Sequence, residues 1–211
     1  MSRKNGQYYL EVTSDRGMDK PKTMPLKSRK SARPPLDETA LFNYAVGALA
    51  RRMRTERELR RLMRLRAEPG ELGEQAIHAV ISRLKSLSYL DDARFAADYT
   101  RLRKENEKLG PRRVRQDLTV KGVSKDLIGD AVTTAYGDED EVALARQYIE
   151  RKRMKQPAGE NRQKEASRIM GRLLRAGFSS ATVFKVLRQW GVDAEDSEIT
   201  ASDPLEDPDG E

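Results

Sequence analysis

The chain repeats itself at an offset of 55 residues, and a repeat this short constrains the fold more than any other feature. The stretch KGVSKDLI (121–128) superimposes on AGFSSATV (176–183): Leu118 falls on Leu173, Gly122 on Gly177, Val123 on Phe178, Ser124 on Ser179 and Ile128 on Val183. Glycine suits the left-handed cap that ends a helix, and serine two residues later suits the start of the next. Leu62 lies 56 residues before Leu118, which points to an earlier copy. There the Gly–apolar–Ser turn is replaced by the longer connection AEPGELGEQ (67–75). A unit of about 50 residues buries its apolar face only by leaning on neighbours.

Helical periodicity fills the units between these turns. Leu41, Tyr44, Ala45, Ala48 and Leu49 share one face of a first helix, closed by Arg51 and Arg52 near its negative end. Thr55 and Glu58 read as a capping box for a second, with Leu59, Leu62, Met63 and Leu65 inward. After the break at Glu68-Pro69-Gly70, a third carries Ala76, Ile77, Val80, Ile81 and Leu84. Asp91-Asp92 reads as the cap of a fourth helix with Phe95, Tyr99 and Leu102 at i, i+4, i+7. Gly110-Pro111 ends it and starts a fifth, with Val114 and Leu118 apolar. Ser124 is placed to cap a sixth holding Leu127, Ile128 and Val132. A long seventh helix with Val142, Leu144, Ala145, Tyr148, Ile149 and Met154 ends before Pro157. Asn161 is placed to cap the eighth, with Ile169, Met170, Leu173 and Leu174, and Gly177 stops it. Ser179 or Ser180 opens the ninth, with Val183, Val186, Leu187 and Trp190.

The expectation is an all-α protein of three tandem three-helix repeats, spanning residues 37–90, 91–137 and 138–192. Hydrophobic residues make up 37% and charged residues 36%, too little apolar material for one thick core and better suited to an elongated, curved rod. Residues 1–36, rich in Lys, Arg, Ser and Pro, read as a disordered basic tail, and residues 193–211 as a disordered acidic one. Charge follows this division. The first 36 residues hold nine Lys/Arg and three acids; residues 193–211 hold nine acids and no base, against +7 for the whole chain. A basic body implies an acidic partner, nucleic acid or an acidic protein surface.

Little in the chain points to chemistry. There is no cysteine, so disulfides and thiol catalysis are excluded, in keeping with a reducing cytoplasm. No apolar run approaches a membrane span or a secretory signal. A phosphate-cradling G-x-x-x-x-G-K-[ST] loop is missing, and His78 is the sole histidine, so neither a nucleotide, a metal nor any other cofactor is expected. No nucleophile–base–orienter set can be assembled, and the chain is read as no enzyme.

Arginine clusters remain. Arg112, Arg113 and Arg115 occupy the first turns of the fifth helix, where the helix dipole disfavours cations. Arg168, Arg172 and Arg175 form a stripe along the eighth helix. With Lys121 they make up the candidate partner-binding set, because acids are scarce around them in sequence. Arg57, Arg60, Arg61 and Arg64 have Glu56, Glu58 and Glu68 nearby and read as a solvated face.

The string YLDDARFAADY (89–99), then G-P-x-x-V-x-x-x-L-x-x-K-G-V-S (110–124), resembles the RecX family of recombination regulators. ELRRLMRLRAE (58–68) before it and GRLLRAGFSSATVFKVL (171–187) after it extend the resemblance over 41–192 and leave both tails out. The resemblance implies a monomeric cytoplasmic regulator of DNA repair, recombination and the SOS response. Its partner would be the RecA filament on single-stranded DNA, whose growth, ATP hydrolysis, strand exchange and co-protease activity it limits. The alternative from the residues themselves is a sequence-nonspecific DNA-binding protein acting through its basic helix faces and basic tail; single-stranded DNA is a further candidate partner.

Overall fold

A computed structural model describes residues 34–192, and among these the regular elements are nine α-helices and one π-helical turn, without a strand. The helices fall into trios: α1 (Glu38–Arg51), α2 (Glu56–Arg64) and α3 (Glu71–Ser86); α4 (Asp92–Leu102), α5 (Pro111–Lys121) and α6 (Lys125–Tyr136); α7 (Glu141–Arg151), α8 (Arg162–Arg175) and α9 (Ser180–Gln189). The expected tails, residues 193–211 and all but the last three of 1–36, lie outside the described residues.

Buried apolar side chains separate into three clusters, one for each trio. Leu41, Leu59, Met63, Ile77 and Leu84 anchor the first. Phe95, Val114, Leu118, Ile128 and Val132 anchor the second, and Leu144, Leu173, Phe178, Val183 and Leu187 the third. The most extensively packed helix pairs, such as α4 with α6 and α7 with α9, all lie within one trio. The architecture is therefore all-α, three tandem three-helix units.

The 55-residue repeat is visible atom by atom. Gly122 and Gly177 adopt φ of 80° and 93°, the left-handed region where a side chain is strained. Val123 N–H donates to Leu118 O and Phe178 N–H to Leu173 O, both at 3.2 Å, closing the same turn at the end of α5 and α8. The repeat also reaches the first unit, but in a different register from the one expected. Leu59, Val114 and Ile169, and likewise Met63, Leu118 and Leu173, stand 55 apart and are all buried. Leu62 is only partly buried, and Leu65, which follows the last turn of α2, is 75% exposed.

Other departures have local causes. The inward face of α4 carries the buried Phe95, Ala96 and Thr100, which leaves Leu102 at its edge and exposed. Leu174 sits likewise beside the buried Ala166, Ile169, Met170 and Leu173 of α8. Gly110 does not itself stop the fourth helix, because a π turn over Arg103–Glu107 and a left-handed Lys108 (φ 57°) intervene. α7 ends at Arg151, earlier than expected. Arg153 turns left-handed (φ 50°), Met154 N–H bonds back to Ile149 O, and Met154 packs on the third cluster. Ser124 and Asn161 hold their cap positions without a side-chain capping bond, whereas Ser179 accepts from Thr182 N–H at 3.2 Å.

Candidate partner-binding site at the joints between units

The units meet at one recurring joint. The acceptors are Arg66, Lys121 and Ala176, the carbonyls that end the middle helices α2, α5 and α8, again 55 apart. Gly110 N–H, just ahead of α5, donates to Ala176 O (2.8 Å), and Arg112 N–H to Gly177 O (3.2 Å). Thr55 Oγ1, just ahead of α2, donates to Lys121 O (2.7 Å). The middle helices α2 and α5 thus begin where the middle helix of the following unit ends. At the outer end Leu36 N–H donates to Arg66 O (2.8 Å), filling the place a preceding unit would take.

Two acidic residues expected to cap their own helices serve this joint instead. Asp91 caps α4 by accepting from Arg94 N–H (2.9 Å), but Asp92 accepts from Glu56 N–H (2.9 Å) at the start of α2 in the preceding unit. Burial pushes the Asp92 carboxyl up, more than that bond lowers it. Half of the capping box at Thr55 forms: Glu58 N–H donates to Thr55 Oγ1 (3.2 Å), while the Glu58 carboxylate pairs with Lys121 (3.1 Å) across the joint. Lys121 also lies 5.4 Å from the Tyr99 ring centre, so this candidate is enclosed between two units rather than free on a surface.

The same geometry revises the electrostatics of α5. Its positive N-terminal end abuts the carbonyl end of α8, and the two partial charges offset one another. Cations there carry less penalty than an isolated helix would impose. Nor are acids scarce in space. Arg113 pairs with Asp117 (3.0 Å), and Arg112 faces Glu141. Burial pushes Glu141 up, but hydrogen bonds from Ser179 and Thr182, aided by Arg112, outweigh it and hold the carboxyl below its ordinary value.

Three of the seven candidates converge. Arg113 from α5 and Arg172 and Arg175 from α8 line an open cleft of about 360 Å³ at the second joint, walled by Leu109 and Tyr148. Arg103 from the π turn completes the set, facing Glu107 and the Tyr99 ring (4.8 Å). Tyr99 in turn donates to Asp117 (3.1 Å), and burial raises its hydroxyl pKa. Four guanidinium groups therefore face two carboxylates, and among the described residues no acid pairs with Arg172 or Arg175. Arg112, Arg115 and Arg168 are exposed outside the cleft. Sequence reasoning missed Arg103; the i, i+4 spacing of Tyr99, Arg103 and Glu107 was the available signal.

A larger cleft of about 720 Å³ lies at the first joint, lined by Arg57, Arg60, Arg64 and Lys85. Here three of the four cations are matched: Arg60 and Lys85 both pair with Glu56, at 2.7 and 2.5 Å, and Arg64 with Glu74 at 2.6 Å. Burial raises Glu56, but Lys85 and Arg60 more than compensate and keep it ionised. His78 is exposed on α3, and among the described residues no three His, Cys, Asp or Glu side chains are grouped to hold a metal. None of the described helices is long and apolar enough to cross a membrane.

Residues 91–132 match the family described as RecX, second three-helix domain. The chain is 32% identical over 160 residues to the regulatory protein RecX of Geobacillus kaustophilus, covering 76% of this chain and 57% of that one. It is 32% identical to the regulatory protein RecX of Streptomyces coelicolor (64% and 69% covered) and 30% identical to that of Thermobifida fusca (75% and 82% covered). Against the first relatives the match spans little more than half their length. Among solved structures, RecX from Lactobacillus salivarius superimposes with a TM-score of 0.56 at 22% identity, over 74% of this chain and 97% of the other. A second regulatory protein RecX gives 0.52 at 24% identity, over 72% and 73%.

Proposed function

The chain belongs to the RecX family of regulatory proteins, and from that premise we propose that it is a non-enzymatic regulator of the RecA filament on single-stranded DNA. In this reading it limits filament growth and with it ATP hydrolysis, strand exchange and co-protease activity, in the cytoplasm and without a cofactor. Family membership supports the partner. The arginine excess at the second joint supports the place of contact, because unpaired guanidinium groups recognise carboxylates and phosphates alike. Repeated units also suit a polymeric partner, since each further contact forms at high effective concentration. Arg113, Arg172 and Arg175, joined by Arg103, form the centre of the proposed surface; Arg112, Arg115 and Arg168 extend it, with Lys121 at the first joint.

Charge reversal of Arg172 and Arg175 tests this, because neither holds the fold together through an acid partner. The variant should keep a helical far-UV spectrum and lose most of its suppression of RecA ATP hydrolysis on single-stranded DNA. Reversal of Arg57, Arg60 and Arg64, of which Arg60 and Arg64 are already paired with Glu56 and Glu74, should be milder. Suppression equal to the parent's in the α8 variant would remove the cleft from the contact surface.

A further inference from the structure

We infer that the cleft at the second joint also receives the chain's own acidic segment, residues 193–211. Three observations support the docking. Among the six charged side chains of the cleft, Arg103 faces Glu107 and Arg113 pairs with Asp117, which leaves Arg172 and Arg175 as excess positive charge. The segment supplies the complement: nine carboxylates and no base in 19 residues. The point where it leaves the described structure is fixed at the start of α8: Val192 is buried in the third cluster, and Arg162 pins the preceding turn by donating to Trp190 O (2.8 Å) and Gly191 O (2.6 Å). Arg162 opens α8 and Arg175 closes it, so the exit lies about 20 Å along the helix axis from the cleft.

Reach does not limit the contact. Nineteen residues extend to at most about 65 Å, whereas α8, the longest helix of the third unit, measures about 21 Å. Individual surface pairs are weak, but tethering raises the effective concentration of the carboxylates to the order of millimolar. Because Arg172 and Arg175 are exposed, the contact is expected to respond to salt, with the screening length shrinking from about 8 Å at physiological ionic strength to about 3 Å at 1 M. Docking holds or fails independently of the proposed function and is measurable without RecA.

The chain lacks cysteine, so Ser202→Cys places one nitroxide label on the segment of the full chain. Relaxation enhancement of backbone amides should then be strongest at Arg103–Glu107 and Arg172–Ala176. It should fall to background in about 1 M salt and in the same chain carrying Arg172→Glu and Arg175→Glu. Broadening spread evenly over the units, centred on Arg57 and Arg61 of α2, or unchanged by the double reversal would overturn the inference. So would equal broadening of an isotope-labelled chain by spin-labelled chains mixed with it, since that would make a second copy the occupant.

Discussion

Replacing Gly110 by alanine should loosen the second joint while leaving all three cores intact. Gly110 has φ −74°, so alanine fits the backbone there without strain. Space is the difficulty: a Cβ at this position would lie 2.3 Å from Gly177 O and 2.7 Å from Phe178 N. Both are backbone atoms, and the Phe178 side chain is locked in the third cluster at 1% exposure. Carbon–oxygen contacts tolerate about 3.3 Å at closest, so the joint must open by about 1 Å. That displacement carries the Gly110–Ala176 and Arg112–Gly177 bonds, now 2.8 and 3.2 Å, beyond or to the edge of hydrogen-bonding distance. Two such bonds at roughly 0.5–1.5 kcal/mol each give an expected loss of about 1–3 kcal/mol. Urea unfolding measures it, and hydrogen exchange at the Arg112 amide reports the joint directly. Gly129→Ala is the control, since a Cβ there meets nothing within 4 Å and alanine favours α6 by up to about 1 kcal/mol. A Gly110→Ala chain as stable as the parent, with the Arg112 amide equally protected, would refute the close approach of the two units.

Truncating the three equivalent core positions should be costly alike: Met63→Ala, Leu118→Ala and Leu173→Ala are each expected to destabilise by about 2–5 kcal/mol in urea. Leu65→Ala, at an exposed site, should stay within about 0.5 kcal/mol. Glu141 contributes stability that is fully present above its ordinary pKa of 4.5 and is lost as pH falls through its lower folded value. The acid limb of a thermal-melting pH series should therefore flatten in Glu141→Gln, and an unchanged limb would exclude that role.

Where one helix spoke for itself, the sequence was readable. The glycine–apolar–serine turns at 122–124 and 177–179 define both helix ends locally: both glycines take the expected left-handed φ and both serines the cap position, with the capping bond itself formed at Ser179. Periodicity was less reliable at stripe edges and helix ends: Leu102 and Leu174 stand about a quarter-turn from the centres of their stripes, and Leu65 lies just past the end of α2. Contacts between units were hidden. Nothing in Asp91-Asp92 distinguishes the carboxylate that caps its own helix from the one that serves α2 some 36 residues earlier. The arginines of α5 and α8 were visible as charges, but their meeting across a joint, with Arg103 swung in by a π turn, depends on packing that no local pattern encodes.

Both joints carry polar links to the helix-end carbonyls, but the second adds shared apolar packing, and this sets how the molecule bends. Across the first joint run Thr55 to Lys121, Asp92 to Glu56 and Glu58 to Lys121, all polar. At the second, Leu109 and Tyr136 of the middle unit pack against both the second and the third clusters, and Tyr136 donates to Leu109 O (2.9 Å). Apolar cement resists both water and salt, whereas charged links soften as ions screen them. The second and third units should therefore move as one stiff block. The first unit would swing against that block on a hinge whose stiffness falls as ionic strength rises, letting the chain adjust its curvature without disturbing a single core.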